Sequence, residues 1–294
     1  MNYDISLIVE YTYDHASDHA RNVLHLLPLN IPQEQAIIAS LLTVDPMPQE
    51  RWDGPDFFGN TATWITFHEP IESISLTLKA QASRTALPSQ MDLSSGLDQL
   101  HREIAAQHSI APHAPHHFLA NSPRVSATPE MTAYANSQVA PGSSALQAVL
   151  AIGLALHRDM EFDSEATDVR TPPAEAFAQR RGVCQDFSHV MIACLRGIGI
   201  PAGYVSGFLR TEPPPGQPRL AGSDAMHAWV RAWCGVEMGW IEFDPTNDTI
   251  VGDGHIVVAY GRDYSDVSPV RGTLRTAGGQ DTKHFVDVIP HDGG

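Results

Sequence analysis

With 294 residues, 43% apolar and only 18% charged, the chain is long enough for one large or two ordinary domains and too apolar to be disordered throughout. Its formal net charge of −16 works against binding a nucleic-acid backbone or an anionic membrane, and no apolar run approaches the ~20 residues of a membrane-spanning helix. Three cysteines without a Cys-x-x-Cys pair form no disulfide framework, which points to a reducing compartment.

The opening MNYDISLIVEYTY has no basic n-region and carries Asp4 and Glu10, so it does not read as a signal peptide, and a cytoplasmic protein is expected. Tyr3, Ile5, Leu7, Val9 and Tyr11 alternate with mostly polar residues, the period of a half-buried strand. Further short strands are expected at 36–44, 62–68 and 74–80, separated by turn-rich pieces such as DPMPQERWDGPDFFGN. Residues 1–90 therefore read as a small β-sandwich-like domain.

Residues 91–142 read as linker with one short helix near 93–107. His113, His116 and His117 lie here, interrupted by prolines and without cysteine or carboxylate partners, so a connector is preferred over a metal site.

Residues 143–294 form the third unit. Its first helix, over 143–157, starts at Ser143 or Ser144 and is apolar nearly all round. A second is framed by Thr171 as cap, Pro172 at the first position and Gly182 at the end. In VCQDFSHVMIACLRGIGIP a third buries Phe187, Val190, Met191, Cys194, Leu195 and Ile198 at 3–4 spacing before Gly197, Gly199 and Pro201 stop it. Strands follow in AGYVSGFL, MHAWVRAW and GWIEFD.

Cys184 falls in the first turn of the third helix, where the unsatisfied N–H groups and the helix dipole favour a thiolate. Alone it could equally be the end of a buried stripe. The segments around Gly235-Val236 read as a two-residue hairpin. Counted outward from that turn, His227 faces Asp244 directly, while Ala228, Val230 and Ala232 oppose Phe243, Ile241 and Gly239 on the other face. A thiol needs a base, and the base needs a fixed tautomer, so Cys184, His227 and Asp244 can serve as nucleophile, base and orienting carboxylate. The competing reading of the last two is a cross-strand ion pair on a solvated face.

His189, five residues after Cys184 and rotated by ~140° on the same helix, is better read as an exposed or capping histidine than as the base. Asp186 suits a structural place near the helix dipole, and Cys194 and Cys234 read as structural. Trp229 shares the His227 face and either shields the site or simply packs. Tyr264, in GRDYSDVSPVRG, stands either on a cleft wall near substrate or in a surface loop. NDTIVGDG lacks EF-hand ligand spacing.

Three blocks, RRGVCQDFSHVMIACLRGIGIPAGYVSGFL, HAWVRAWCGVEMGWIEFDPTN and VAYGRDYSDVSPVRG, resemble bacterial proteins of the transglutaminase-like superfamily, many of them assigned as cysteine proteases. The family's Gly-Val-Cys, His-Ala-Trp and Asp-Pro-Thr-Asn motifs fall on Cys184, His227 and Asp244, and LHLLPLN and DFFGNTATWITF resemble the β-rich region that precedes the core in bacterial members. The resemblance implies an α+β, papain-like core in which a cysteine helix packs on an antiparallel sheet. It also implies a thiol-dependent amide or peptide-bond hydrolase or acyltransferase working through a thioacyl-enzyme. The superfamily includes glutamine–lysine cross-linkers, proteases and deglycosylating amidases. A protein, peptide or other amide substrate is expected, with no cofactor, metal, nucleic acid or membrane. The alternatives are protein-glutamine amine transfer and a non-catalytic binding or scaffold module that keeps the fold.

Overall fold

The computed structural model describes residues 1–17, 19–86, 91–211, 224–274 and 279–291. In chain order the first half contains β1 (Asn2–Ser17), β2 (Ala20–Leu24), β3 (Gln35–Asp45), β4 (Glu50–Pro55), β5 (Thr61–Phe67), β6 (Ile71–Arg84), α1 (Leu97–Ala105), α2 (Pro129–Gln138) and α3 (Ala145–Asp159). Then come β7 (Glu161–Phe162), α4 (Pro173–Gln179), β8 (Arg181–Gly182), α5 (Cys184–Gly197), β9 (Ala202–Leu209), β10 (Ala225–Trp233) and β11 (Trp240–Asp244). The chain closes with β12 (Thr249–Ile250), β13 (His255–Gly261), α6 (Tyr264–Val267), β14 (Val270–Leu274) and β15 (Gln280–His291).

Two four-stranded antiparallel sheets, in the orders β15-β1-β6-β3 and β14-β2-β5-β4, share one core. The alternation expected of β1 is present, with Tyr3, Ile5, Leu7 and Val9 buried. Strand β4 runs through a piece that reads as turn in the sequence. It is an edge strand, mostly exposed, so it needs no apolar face. Strands β14 and β15 pair with β2 and β1, so residues from the far end of the chain complete both sheets begun by residues 2–84. A boundary at residue 143 divides the chain but not these sheets.

The segment expected to be linker is largely structured. Thr128 caps α2, its hydroxyl accepting from Met131 N–H, and Pro129 takes the first helical position. Met131 and Ala135, one turn apart, are buried as α2 packs on α5. Around the histidines, Phe118 is buried, His113 C=O accepts from Trp240 Nε1 (3.1 Å), and His116 and His117 stack 4.4 Å apart. None of these three joins a group with metal-ligand geometry among the described residues.

A five-stranded antiparallel sheet, β12-β11-β10-β9-β13, carries α5 on its face. The helix is enclosed on every side, every residue from Gln185 to Arg196 being buried, so the expected single stripe is too narrow. α2, α3 and α4 cover the sides that the sheet leaves open. Ser144 caps α3 in a capping box with Gln147. The helix ahead of α5 departs from its expected frame. Its cap is Pro172, because the Thr171 hydroxyl is engaged with Asp168 N–H (3.0 Å), and Arg180 in the left-handed region (φ 56°) ends it before Gly182.

Candidate active site

Cys184 is the first residue of α5, and its thiol is partly accessible. The helix start is fixed by Asp186, whose Oδ2 accepts from Val183 N–H (2.9 Å) and from the Thr167 hydroxyl (2.6 Å), the structural place expected of it. This packing excludes a side chain at residue 182: an added Cβ would lie 2.5 Å from Asp186 Oδ2. Gly182→Ala is therefore expected to displace Asp186 and destabilise the protein by ~1–3 kcal/mol, measured by urea unfolding, and to slow alkylation of Cys184.

The hairpin bearing His227 and Asp244 differs from its expected register. Val230 faces Phe243 and Ala232 faces Ile241, two residues along from the expected pairing. The turn is longer than two residues. Cys234 N–H donates to Gly239 C=O, Gly239 N–H donates to Gly235 C=O, and both glycines have positive φ (108° and 70°). A slip of two residues preserves the face, as a slip of one would not. His227 and Asp244 thus become diagonal rather than direct neighbours, and the carboxylate still reaches the ring: His227 Nε2–H donates to Asp244 Oδ2 at 2.7 Å. Neither is solvated as a surface pair would be, Asp244 being fully buried.

With Nε2 committed to Asp244, the other ring nitrogen is the one available to the thiol of α5, the helix that packs against β10. Burial pulls the imidazole's pKa down, but the hydrogen bonds to Asp244 and Cys184 and their negative charges outweigh it and push it up to about 10. Asp244 is held far below the usual carboxylate range. Burial opposes its charge, but His227, His255 and Asn247 all donate to Oδ2. Oδ1 accepts from the backbone N–H groups of Thr246 (2.9 Å) and Asn247 (3.2 Å).

His189 is buried rather than exposed. Burial lowers it to about 3, and its Nε2 accepts from Tyr264 N–H (3.2 Å), so it caps α6 as a neutral ring and is no base for Cys184. Burial pushes the thiols of Cys194 and Cys234 up to about 12, so neither is a thiolate at neutral pH. Trp229 is fully buried among Leu29, Val205 and Val257, with Nε1–H donating to Glu242 (2.7 Å). It presents no surface to a substrate, so it does not line a substrate cleft, and a ring buried 6.1 Å from that of His227 fits both expected roles, shielding the site and packing. Tyr264 is partly accessible, with Arg124 over its ring and Tyr204 at 6.1 Å. The Tyr204 phenol is raised by burial first and then by the charges of Cys184 and Tyr264.

His227, Asp244 and His255 hold ligand atoms within 4.8 Å of one another, a spacing a small cation could use. Each ring nitrogen involved already donates to Asp244 Oδ2, so the trio is complete as a hydrogen-bonded chain. His255 and Asn247 do not stand out as site residues in the sequence. Asn247 lies three residues from Asp244 inside a recognised motif. His255 opens an apolar strand, and no local spacing ties it to Asp244.

The profile described as "Transglutaminase-like superfamily" matches residues 132–245, and "Bacterial transglutaminase-like N-terminal region" matches residues 3–83. The uncharacterized protein Rv2569c of Mycobacterium tuberculosis is 32% identical over 295 residues, covering 99% of this chain and 93% of that one. The chain belongs to the transglutaminase-like superfamily. An uncharacterized protein of Mycobacterium leprae is 35% identical over 154 residues, 51% of this chain and 53% of its own. A solved structure from Cytophaga hutchinsonii, named as a candidate cysteine protease, has the same fold at TM-score 0.75. It is 21% identical and covers 100% of this chain and 92% of that one. This transglutaminase-like protein thus has the fold of cysteine-dependent hydrolases and transferases, and no described helix is long and apolar enough to cross a membrane.

Proposed function

We propose that the protein is a thiol-dependent amide or peptide-bond hydrolase with Cys184 as nucleophile, His227 as acid–base and Asp244 as the carboxylate that holds the ring. The observation that carries this reading is His227 bonded to a fully buried Asp244 on the sheet against which α5 packs, with the partly accessible Cys184 at the start of that helix. His227 remains an imidazolium through neutral pH. The thiolate sulfur attacks the amide carbonyl carbon, and the first-turn N–H of Cys184 is one donor to the oxyanion. As the C–N bond breaks, His227 gives its proton to the leaving amine, and a thioester remains on Cys184. Water then adds, His227 takes its proton, and collapse releases the carboxylic acid and the thiolate.

The three cysteines are free, which supports a reducing, cytoplasmic location. The test is the pH dependence of Cys184 alkylation by iodoacetamide, followed by peptide mass spectrometry. In the native protein, reaction is expected well below the ~8.5 of a free thiol, and in His227→Ala the profile is expected to move upward. A profile indifferent to His227 would return the chain to the binding-module alternative. If an added amine rather than water ends up on the product, the acyl group is transferred and hydrolysis is not the reaction.

A further inference from the structure

Asp244 Oδ2 takes three side-chain donors: His227 Nε2 at 2.7 Å, Asn247 Nδ2 at 2.7 Å and His255 Nε2 at 3.1 Å. The first two belong to motifs that carry the proposed chemistry, and His255 does not. It is the first residue of β13, on the opposite edge of the sheet from β12, with β10 and β9 lying between β13 and β11.

Its reach across the sheet has a local cause. Gly207 of β9 faces both His227 and Val257, and an added Cβ there would lie 2.3 Å from the Trp229 ring. Without a side chain on Gly207, residues from β10, β11 and β13 converge over β9. Trp229 then meets His255 edge-on at 5.1 Å, and the His255 ring stands 6.3 Å from that of His227. His255 is buried on one side and borders a cleft lined by Tyr3, Arg210, Asn247 and Thr249 on the other.

Resting on the function proposed above, we infer that His255 is a positioning residue of the thiol site. Its Nε2–H holds the buried Asp244 carboxylate in the orientation that faces His227. A carboxylate with no access to water takes whichever donors surround it. Oδ1 is fixed by two backbone N–H groups and Oδ2 by Asn247, all from the turn that follows β11, and these alone draw the carboxylate toward that turn. His255 is the donor that approaches from the opposite edge of the sheet and opposes that pull. Catalytic groups displaced by a fraction of an ångström lose rate without losing substrate affinity.

The test compares His255→Gln, His255→Asn and His255→Phe in the full chain. A glutamine amide reaches as far as the imidazole Nε2, whereas the asparagine amide stops short of Asp244. In Asn and Phe, Cys184 alkylation by iodoacetamide at neutral pH is expected to slow ~10–100-fold, and its pH profile is expected to move upward, in the direction expected of His227→Ala. Gln is expected to restore the rate to within ~3-fold. Once an amide substrate is in hand, kcat should fall in Asn and Phe with KM unchanged. Urea unfolding of each variant separates lost fold from lost positioning, and Asn keeps the readout if Phe does not fold. Equal profiles in Asn and native protein overturn the assignment. So does a downward shift of the profile, which would mean that His255 competes with His227 for the carboxylate. If His227→Ala also leaves the alkylation profile unmoved, the thiol–imidazole reading itself fails; if it moves the profile and His255→Asn does not, only the role of His255 is lost.

Discussion

Cys184→Ala and His227→Ala are each expected to lower kcat/KM on an amide substrate by ~10⁴-fold or more, about 5 kcal/mol of transition-state stabilisation. The sulfur forms the bond to the acyl carbon, and no other described cysteine can replace it. Cys194 and Cys234 are fully buried, with thiols pushed up to about 12. His227 serves twice, giving its proton to the leaving amine and then taking one from the attacking water, so its loss should cost nearly as much as loss of the sulfur. Cys184→Ser is expected to be as inactive as the alanine variant, because a hydroxyl does not ionise against an imidazole as a thiol does. Cys184 is only partly buried at a helix start, so its alanine variant should unfold within ~1 kcal/mol of the native protein. A substantial rate retained in Cys184→Ala with a verified fold would place the chemistry elsewhere.

Asp244→Asn is expected to lower kcat ~10³–10⁴-fold and to pull down the alkaline limb of the pH–rate profile. His227 stands at about 10 because the bonds to Asp244 and Cys184 and their charges outweigh burial. An amide removes the anion and leaves burial as the larger influence, so the ring loses its proton at much lower pH and the imidazolium needed by the thiolate is no longer held. Asparagine can also present an N–H where the ring requires an acceptor. Stability should follow with a definite sign. The raised His227 contributes stability fully present below its ordinary 6.5 and lost as pH rises through about 10. The depressed Asp244 contributes stability present above its ordinary 3.8 and lost as pH falls through its lowered folded value. Both describe one interaction, so the difference between native protein and Asp244→Asn should be widest between about pH 4 and 6.5 and shrink by pH 10. Urea unfolding at pH 5.5 and 10 measures it. An equal difference at both values would detach Asp244 from His227.

Much of this site is legible because its parts are local. The first-turn place of Cys184 follows from glycine and proline punctuation and 3–4 spacing, and the shared face of His227 and Asp244 follows from the two-residue period of a strand. That face survived an error of two in the register, since an even slip leaves parity unchanged. The longer turn between Gly235 and Gly239 was not legible, because two glycines and three ordinary residues fit several turns and cross-strand hydrogen bonding selects among them. The place of α2 was missed despite its Thr128-Pro129-Glu130 start. With only Met131 and Ala135 buried, it shows too narrow an apolar stripe to stand out.

The sequence by itself determined the chemical types and their local order: a thiol at a helix start, an imidazole and a carboxylate on one strand face, and alternating strands ahead of them. Only the tertiary structure decided which distant residues share those groups. It joined β14 and β15 to the opening sheets, closed other helices around α5, and brought His255 to Asp244 over Gly207. Periodicity is a property of consecutive residues and can be read along a chain. Contact across several strands depends on how a sheet curls and where a side chain is missing, and those are settled only when the core packs.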